Sequence, residues 1–179
     1  MASGRRRPTI IGMYATLRTT EVTGTAGTYR LDHVGTGRSL HLALWERAED
    51  AGPAADLYEV EDDVAGTAAG EAPAAATVLS FDGPLSPARV EAARFGGRHR
   101  IQPALAGVPG LVRTLTLWHP GERKAAVVTL ATSMAVLEDV GTVVNSTALL
   151  PGEDPALLTG PDRVDIHRVV RSLVEETQS

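Results

Sequence analysis

The chain has 179 residues, 43% of them hydrophobic and 22% charged, with a formal net charge of -5 and no cysteine. No run approaches the roughly 20 apolar residues of a membrane-spanning helix. The lack of cysteine excludes a disulfide framework, a thiolate nucleophile and a Cys-based zinc or iron–sulfur site. Mild acidity and a 4% share of aromatic residues disfavour a nucleic-acid binder, which needs clustered positive charge and stacking platforms.

In chain order, Arg5, Arg6 and Arg7 precede too short an apolar stretch for a secretory signal, so a basic tail and a cytoplasmic protein are expected. Thr9 to Arg18 is β-branched and aromatic, as a strand requires. Tyr29 to Val34 alternates, with Tyr29, Leu31 and His33 on one side. After the turn Gly35-Thr36-Gly37, Ser39 to Glu46 alternates again, Leu40, Leu42 and Leu44 against His41, Ala43 and Trp45. A short helix over Ala48 to Asp56, interrupted by Gly52-Pro53, and a strand over Leu57 to Val64 follow. Ala65 to Ala75 is small and polar and reads as a linker with nothing to bury.

Beyond it Thr77 to Asp82 is a strand, and Ser86-Pro87 supplies an N-cap and a first-turn proline. The helix this starts runs toward Ala106, with Val90, Ala93, Ile101 and Leu105 on its buried side and Gly96-Gly97 and Pro103 loosening it. Leu111 to His119 and Ala125 to Thr132 form a second hairpin around Pro120-Gly121. Ser133 caps a helix through Ser146 with Met134, Leu137, Val140 and Val144 at helical spacing. A Pro/Gly-rich loop leads to a last strand, Arg163 to Leu173. The second half therefore reads β-α-β-β-α-β and the first β-β-β-α-β, a degenerate repetition of pattern.

Two segments carry a family resemblance. Ile101 to Val112 (IQPALAGVPGLV) resembles the helix-end and strand-start signature of the antibiotic biosynthesis monooxygenase-like (ABM) family, and Met13 to Arg18 (MYATLR) is similar to its first strand. Proline stops the helix and glycine permits the reversal into the strand. The resemblance implies a dimeric α/β-barrel of ferredoxin-like fold. The expected fold class is thus α+β, with two ferredoxin-like halves packed sheet to sheet as a barrel within one chain. Residues 9–64 would form a half lacking its first helix, 65–75 a linker and 76–173 a complete half. Such a chain would be an intrachain pseudo-dimer, with room for further homodimerisation through outer surfaces.

The resemblance also implies a pocket for a small apolar or aromatic molecule. Some members oxidise polycyclic aromatic substrates with oxygen and no cofactor, and others degrade haem. Two functions are open: a small-molecule binder acting as a cofactor-independent monooxygenase on an aromatic or polyketide-like substrate, and a non-catalytic binding or assembly module with a filled pocket. The family's cofactor-free enzymes commonly use a pocket asparagine on a strand or first helix, whereas the only one here, Asn145, falls at a helix end.

His41 and Trp45 share a strand face, and with Tyr29 or His33 across the hairpin they would form a wall for a flat ligand. Trp118 would cover the sheet edge as a further substrate-binding residue. No catalytic residue is identifiable. His119 and His167 read as ordinary strand histidines, and Arg98-His99-Arg100 as a solvated helix face. Glu59, Glu61, Asp62 and Asp63 read as a solvated strand edge. The histidines have no metal-ligand spacing, so neither a metal nor a cofactor is expected, and no nucleic acid or membrane partner. Gly35-Thr36-Gly37-Arg38 reads as a hairpin turn because no phosphate-loop motif accompanies it, and no G-x-S-x-G elbow exists.

Overall fold

A computed structural model describes residues 12–53 and 56–170. The expected strand residues before position 12 and after 170, and the basic tail, lie outside the described residues.

Eight strands form a closed antiparallel barrel: β1 (Tyr14–Arg18), β2 (Gly27–His33), β3 (Ser39–Trp45), β4 (Leu57–Ala65), β5 (Ala75–Phe81), β6 (Leu111–His119), β7 (Lys124–Ala131) and β8 (Arg163–Val170). Around the barrel the order is β1-β3-β2-β8-β5-β7-β6-β4, with β4 returning to β1. Read as two runs of four, β4-β1-β3-β2 and β8-β5-β7-β6 place their strands in the same sequential order. They meet at two seams, β2 with β8 and β4 with β6.

The alternation read from sequence decides what the barrel holds. Ala15, Leu31, Leu42, Leu44, Leu115, Leu117, Val128 and Leu130 point inward and are completely buried. The hairpin register pairs Tyr29 with Leu42 and Arg30 with His41, so Tyr29 and His33 share the leucine face. His41, Ala43 and Trp45 face outward. There Trp45 and Ala43 pack with Ala51, Tyr14, Val22 and Leu57, and Trp45 Nε1 donates to Thr16 Oγ1 at 3.1 Å.

Helices cover only part of the outside. Ser86 accepts from Arg89 N and starts α1 (Pro87–Gly96), as its capping sequence predicts. The backbone then widens into a π-helical stretch over Gly97–Ile101 before α2 (Gln102–Leu105). Val90 and Leu105 are buried, but Ala93 is exposed, although it lies within the regular turns of α1 ahead of the widened stretch. Ser133 accepts from Val136 N and caps α3 (Met134–Ser146), which buries Leu137 and Val140. Gly110 has φ +83°, the left-handed conformation expected of the Pro-Gly turn, and a Cβ there would lie 2.6 Å from Val136 Cγ2.

Several expectations are corrected. Among the described residues of the segment 48–56 there is a 3-10 turn, Ala48–Ala51, in place of the expected helix. Residues 66–74 are not an idle linker: Ala68 is buried and donates to Leu111 O, and Thr67 Oγ1 donates to Val108 O. Gly66 approaches Leu111 so closely that a Cβ would meet its carbonyl oxygen at 2.0 Å. Closure leaves β4 without an edge, and three of its acidic residues are engaged in ion pairs, Glu61 with Arg94, Asp62 with Arg98 and Asp63 with Arg113, while Glu59 is exposed. A bulge at Glu61 turns its side chain toward α1. Arg100, read as solvated, is 11% exposed and pairs with Glu153, 2% exposed, at 2.8 Å.

Candidate functional site

Closing a sheet into a barrel gives every inward-facing residue a position along one axis, and the two ends are where small or polar residues leave space. At one end Arg113 spans the opening. It binds Asp63 at 2.6 and 2.7 Å and donates to Tyr29 Oη at 3.2 Å. The hydrogen bond to Asp63 raises the guanidinium pKa above its ordinary value despite partial burial. The cavity beside it, about 370 Å³, is lined by Tyr29, Asp63, Glu71 and Arg113. Its principal cation is thus already engaged.

The opposite mouth holds a cavity of about 420 Å³. Its floor is Leu17, Leu40, Val78 and Ala126, the last apolar layer of the core. Its walls are His33, Ser39, Tyr58, Ser80, Asp165 and His167, and Arg38, Asp82, Lys124 and Arg163 stand at the rim. An apolar floor beneath a few convergent polar groups is the ordinary anatomy of a small-molecule site, and the volume lies within the range of about 300–1,000 Å³ typical of such sites.

The local electrostatics are well defined. His33 Nδ1 accepts from the backbone N–H groups of Gly35 and Thr36 at 3.0 and 3.1 Å. That network assigns its proton to Nε2, which lies 3.3 Å from Asp165 Oδ1. The turn Gly35-Thr36-Gly37 therefore does more than reverse the chain: it fixes the tautomer of a wall residue. His167 packs edge-on against His33, centroids 5.3 Å apart, and is 4% exposed, with neither ring nitrogen hydrogen-bonded to a side chain or main chain at full geometry. Burial, then the neighbouring His33, lower its pKa, while Asp165, the Leu31 main chain and Asp32 oppose the shift. Tyr58 stacks edge-on with His119 at 5.4 Å, and Lys124 Nζ stands 5.8 Å from its ring. Burial raises the Tyr58 pKa, and Lys124 opposes this.

The residues expected to form one ligand wall are thus divided. His33 lines this mouth and Tyr29 the opposite one. His41 and Trp45 are buried on the outside of the barrel, and neither cavity includes them. Trp118 lies outward on β6, with the guanidinium carbons of Arg94 and Arg123 5.7 and 5.9 Å from its ring. Sequence reasoning missed Asp165, His167, Tyr58 and Lys124. Their signal is a shared inward parity, as in Arg163, Asp165, His167 and Val169, which acquires meaning only once the barrel closes. Among the described residues no group of three or more His, Asp or Glu could hold a metal ion, and no helix is long and apolar enough to cross a membrane.

No family model and no curated protein matches the sequence. Solved structures do match. A ferredoxin-fold protein related to antibiotic biosynthesis monooxygenases from Listeria monocytogenes superposes with a TM-score of 0.54 at 11% identity, covering 90% of this chain and 96% of that one. An anthrone oxidase-like protein gives 0.54 at 15% identity, covering 90% and 92%. A major regulator of staphylococcal pathogenesis gives 0.55 at 8% identity, covering 88% and 97%. The chain thus has the fold of the ABM-like ferredoxin-fold proteins, a fold that also serves a regulator and so does not by itself assign an activity.

Proposed function

We propose that this chain is an ABM-like small-molecule-binding protein whose ligand, an aromatic molecule of one or two rings, enters the mouth beside His33. The observation that carries this reading is the 420 Å³ cavity itself, an opening with an apolar floor above a barrel otherwise filled by leucine. Of the five residues read from sequence as a ligand wall, we assign His33 to this site. His41, Trp45 and Trp118 serve outer packing, and Tyr29 holds Arg113 at the far end.

We further propose that the barrel is a fused pair of ferredoxin-like halves, an intrachain pseudo-dimer. The repeated strand order and the two seams support this, as does the near-complete coverage of single neighbouring chains. The first half then lacks both outer helices, retaining one 3-10 turn in place of the second.

A second reading, cofactor-independent oxygenation of the bound molecule, draws on His167. A neutral imidazole in the wall is the type of base that removal of a phenolic proton requires. Binding is the more direct consequence of the geometry, because both His167 nitrogens are enclosed.

The test is a thermal-shift titration with 1-naphthol, run alongside an oxygen electrode. Saturating ligand should raise the Tm by several degrees through mass action. Ser80→Phe, which fills the mouth from β5, should stay folded and lose that shift. Absence of any shift in the natural protein would refute the binding reading. Oxygen uptake abolished by His167→Asn would establish the second.

A further inference from the structure

We propose that the mouth selects aromatic acids, and that Arg38 holds the acid's carboxylate while the ring rests on the apolar floor. This rests on the binding reading above and names the chemical class of the ligand. The starting observation is a charge inversion. The chain carries a net -5, yet three cations, Arg38, Lys124 and Arg163, line the cavity against two carboxylates, Asp82 and Asp165.

Pairing then engages every cation but one. Arg163 binds Asp82 at 3.1 Å and Lys124 pairs with Glu122, while Asp165 Oδ1 lies 3.3 Å from His33 Nε2. Arg38, on the turn between β2 and β3, is exposed, and its guanidinium makes no ion pair or hydrogen bond among the described residues. It is therefore the uncompensated cation of the mouth.

A guanidinium presents a planar fork of donors that matches a carboxylate, and the charge-assisted pair is stronger than a neutral hydrogen bond. The floor of Leu17, Leu40 and Val78 favours an apolar body, so inorganic anions gain only half of the site. Ser80 on β5 and Tyr58 on β4 line the same cavity and supply hydroxyls for a ring substituent such as a phenol. His33 Nε2, 3.3 Å from Asp165 Oδ1, gives that carboxylate a partner within the wall. A neutral aromatic would use the floor alone.

Isothermal titration with 1-hydroxy-2-naphthoate and its uncharged amide, on the full chain, tests this. The acid should bind about 10-fold tighter or better, the usual worth of a hydrogen bond to a charged group. Its affinity should fall with added salt while that of the amide stays constant. Arg38→Gln should erase the preference without weakening the amide, and Arg38→Lys should restore part of it. Equal binding of acid and amide, both blocked by Ser80→Phe, would overturn the charge selection and leave the binding reading standing. Failure of both probes to bind at millimolar concentration would overturn both.

Discussion

His167 is the residue at which burial has the clearest thermodynamic consequence. In the unfolded chain an imidazole titrates near pH 6.5, but in the barrel its charged form loses hydration and faces His33, which Asp165, the Leu31 main chain and Asp32 only partly offset. The folded-state pKa is therefore the lower of the two. Below about pH 6.5 the unfolded chain binds a proton that the native protein does not, so unfolding is favoured as pH falls. The His167 contribution is fully present above that value and declines below it, levelling off once the lowered folded value is passed. Denaturant unfolding at pH 7.5 and pH 5.5 should show a larger loss of stability for the natural protein than for His167→Leu. Parallel losses in the two proteins would show that this imidazole is solvated in the native state.

At the scale of elements, the π-helical stretch between α1 and α2 has an identifiable partner. Arg100 leaves it to meet Glu153, whose Oε2 also accepts from Leu150 N at 2.7 Å, so one carboxylate ties the helix to the loop preceding β8. Gly96 permits this, since a Cβ there would lie 2.5 Å from Glu153 Oε1. Both groups are largely buried, and removing one partner strands the other without water. Arg100→Met is expected to cost about 3–5 kcal/mol in urea unfolding. Adding Glu153→Leu should recover much of that loss, because the double variant leaves no buried charge. Additive losses would mean that the pair is solvated and that packing alone holds the loop. The helix itself was legible in sequence from Ser86-Pro87, and α3 from Ser133, because capping is decided within one turn. The Arg100–Glu153 pair was not, since 53 residues separate its members. For the same reason Asp62 and Arg98 read as two solvated surfaces when each is the other's partner.

At the scale of the whole molecule the same division between local and distant information recurs. The strand alternation and the Pro109-Gly110 reversal follow from local chemistry and predict an α+β fold of the right family shape. The mouth depends on which strands become neighbours, and no single strand encodes that β8 lies beside β2. His33 and His167 meet across that seam as directly paired positions. Closure also determines how stability is shared. Cut at residues 66–74, each run of four strands would expose two unpaired edges and a face of leucines, both strong drivers of association. The two fragments, 1–69 and 70–179, should therefore be insoluble or unfolded alone and should regain β-sheet circular dichroism when co-expressed. The intact chain, having satisfied both seams internally, should keep one Tm across a hundred-fold dilution. A soluble, folded fragment would show that one sheet buries its leucines unaided. A Tm that falls on dilution would place part of the stabilising interface between chains instead of within one.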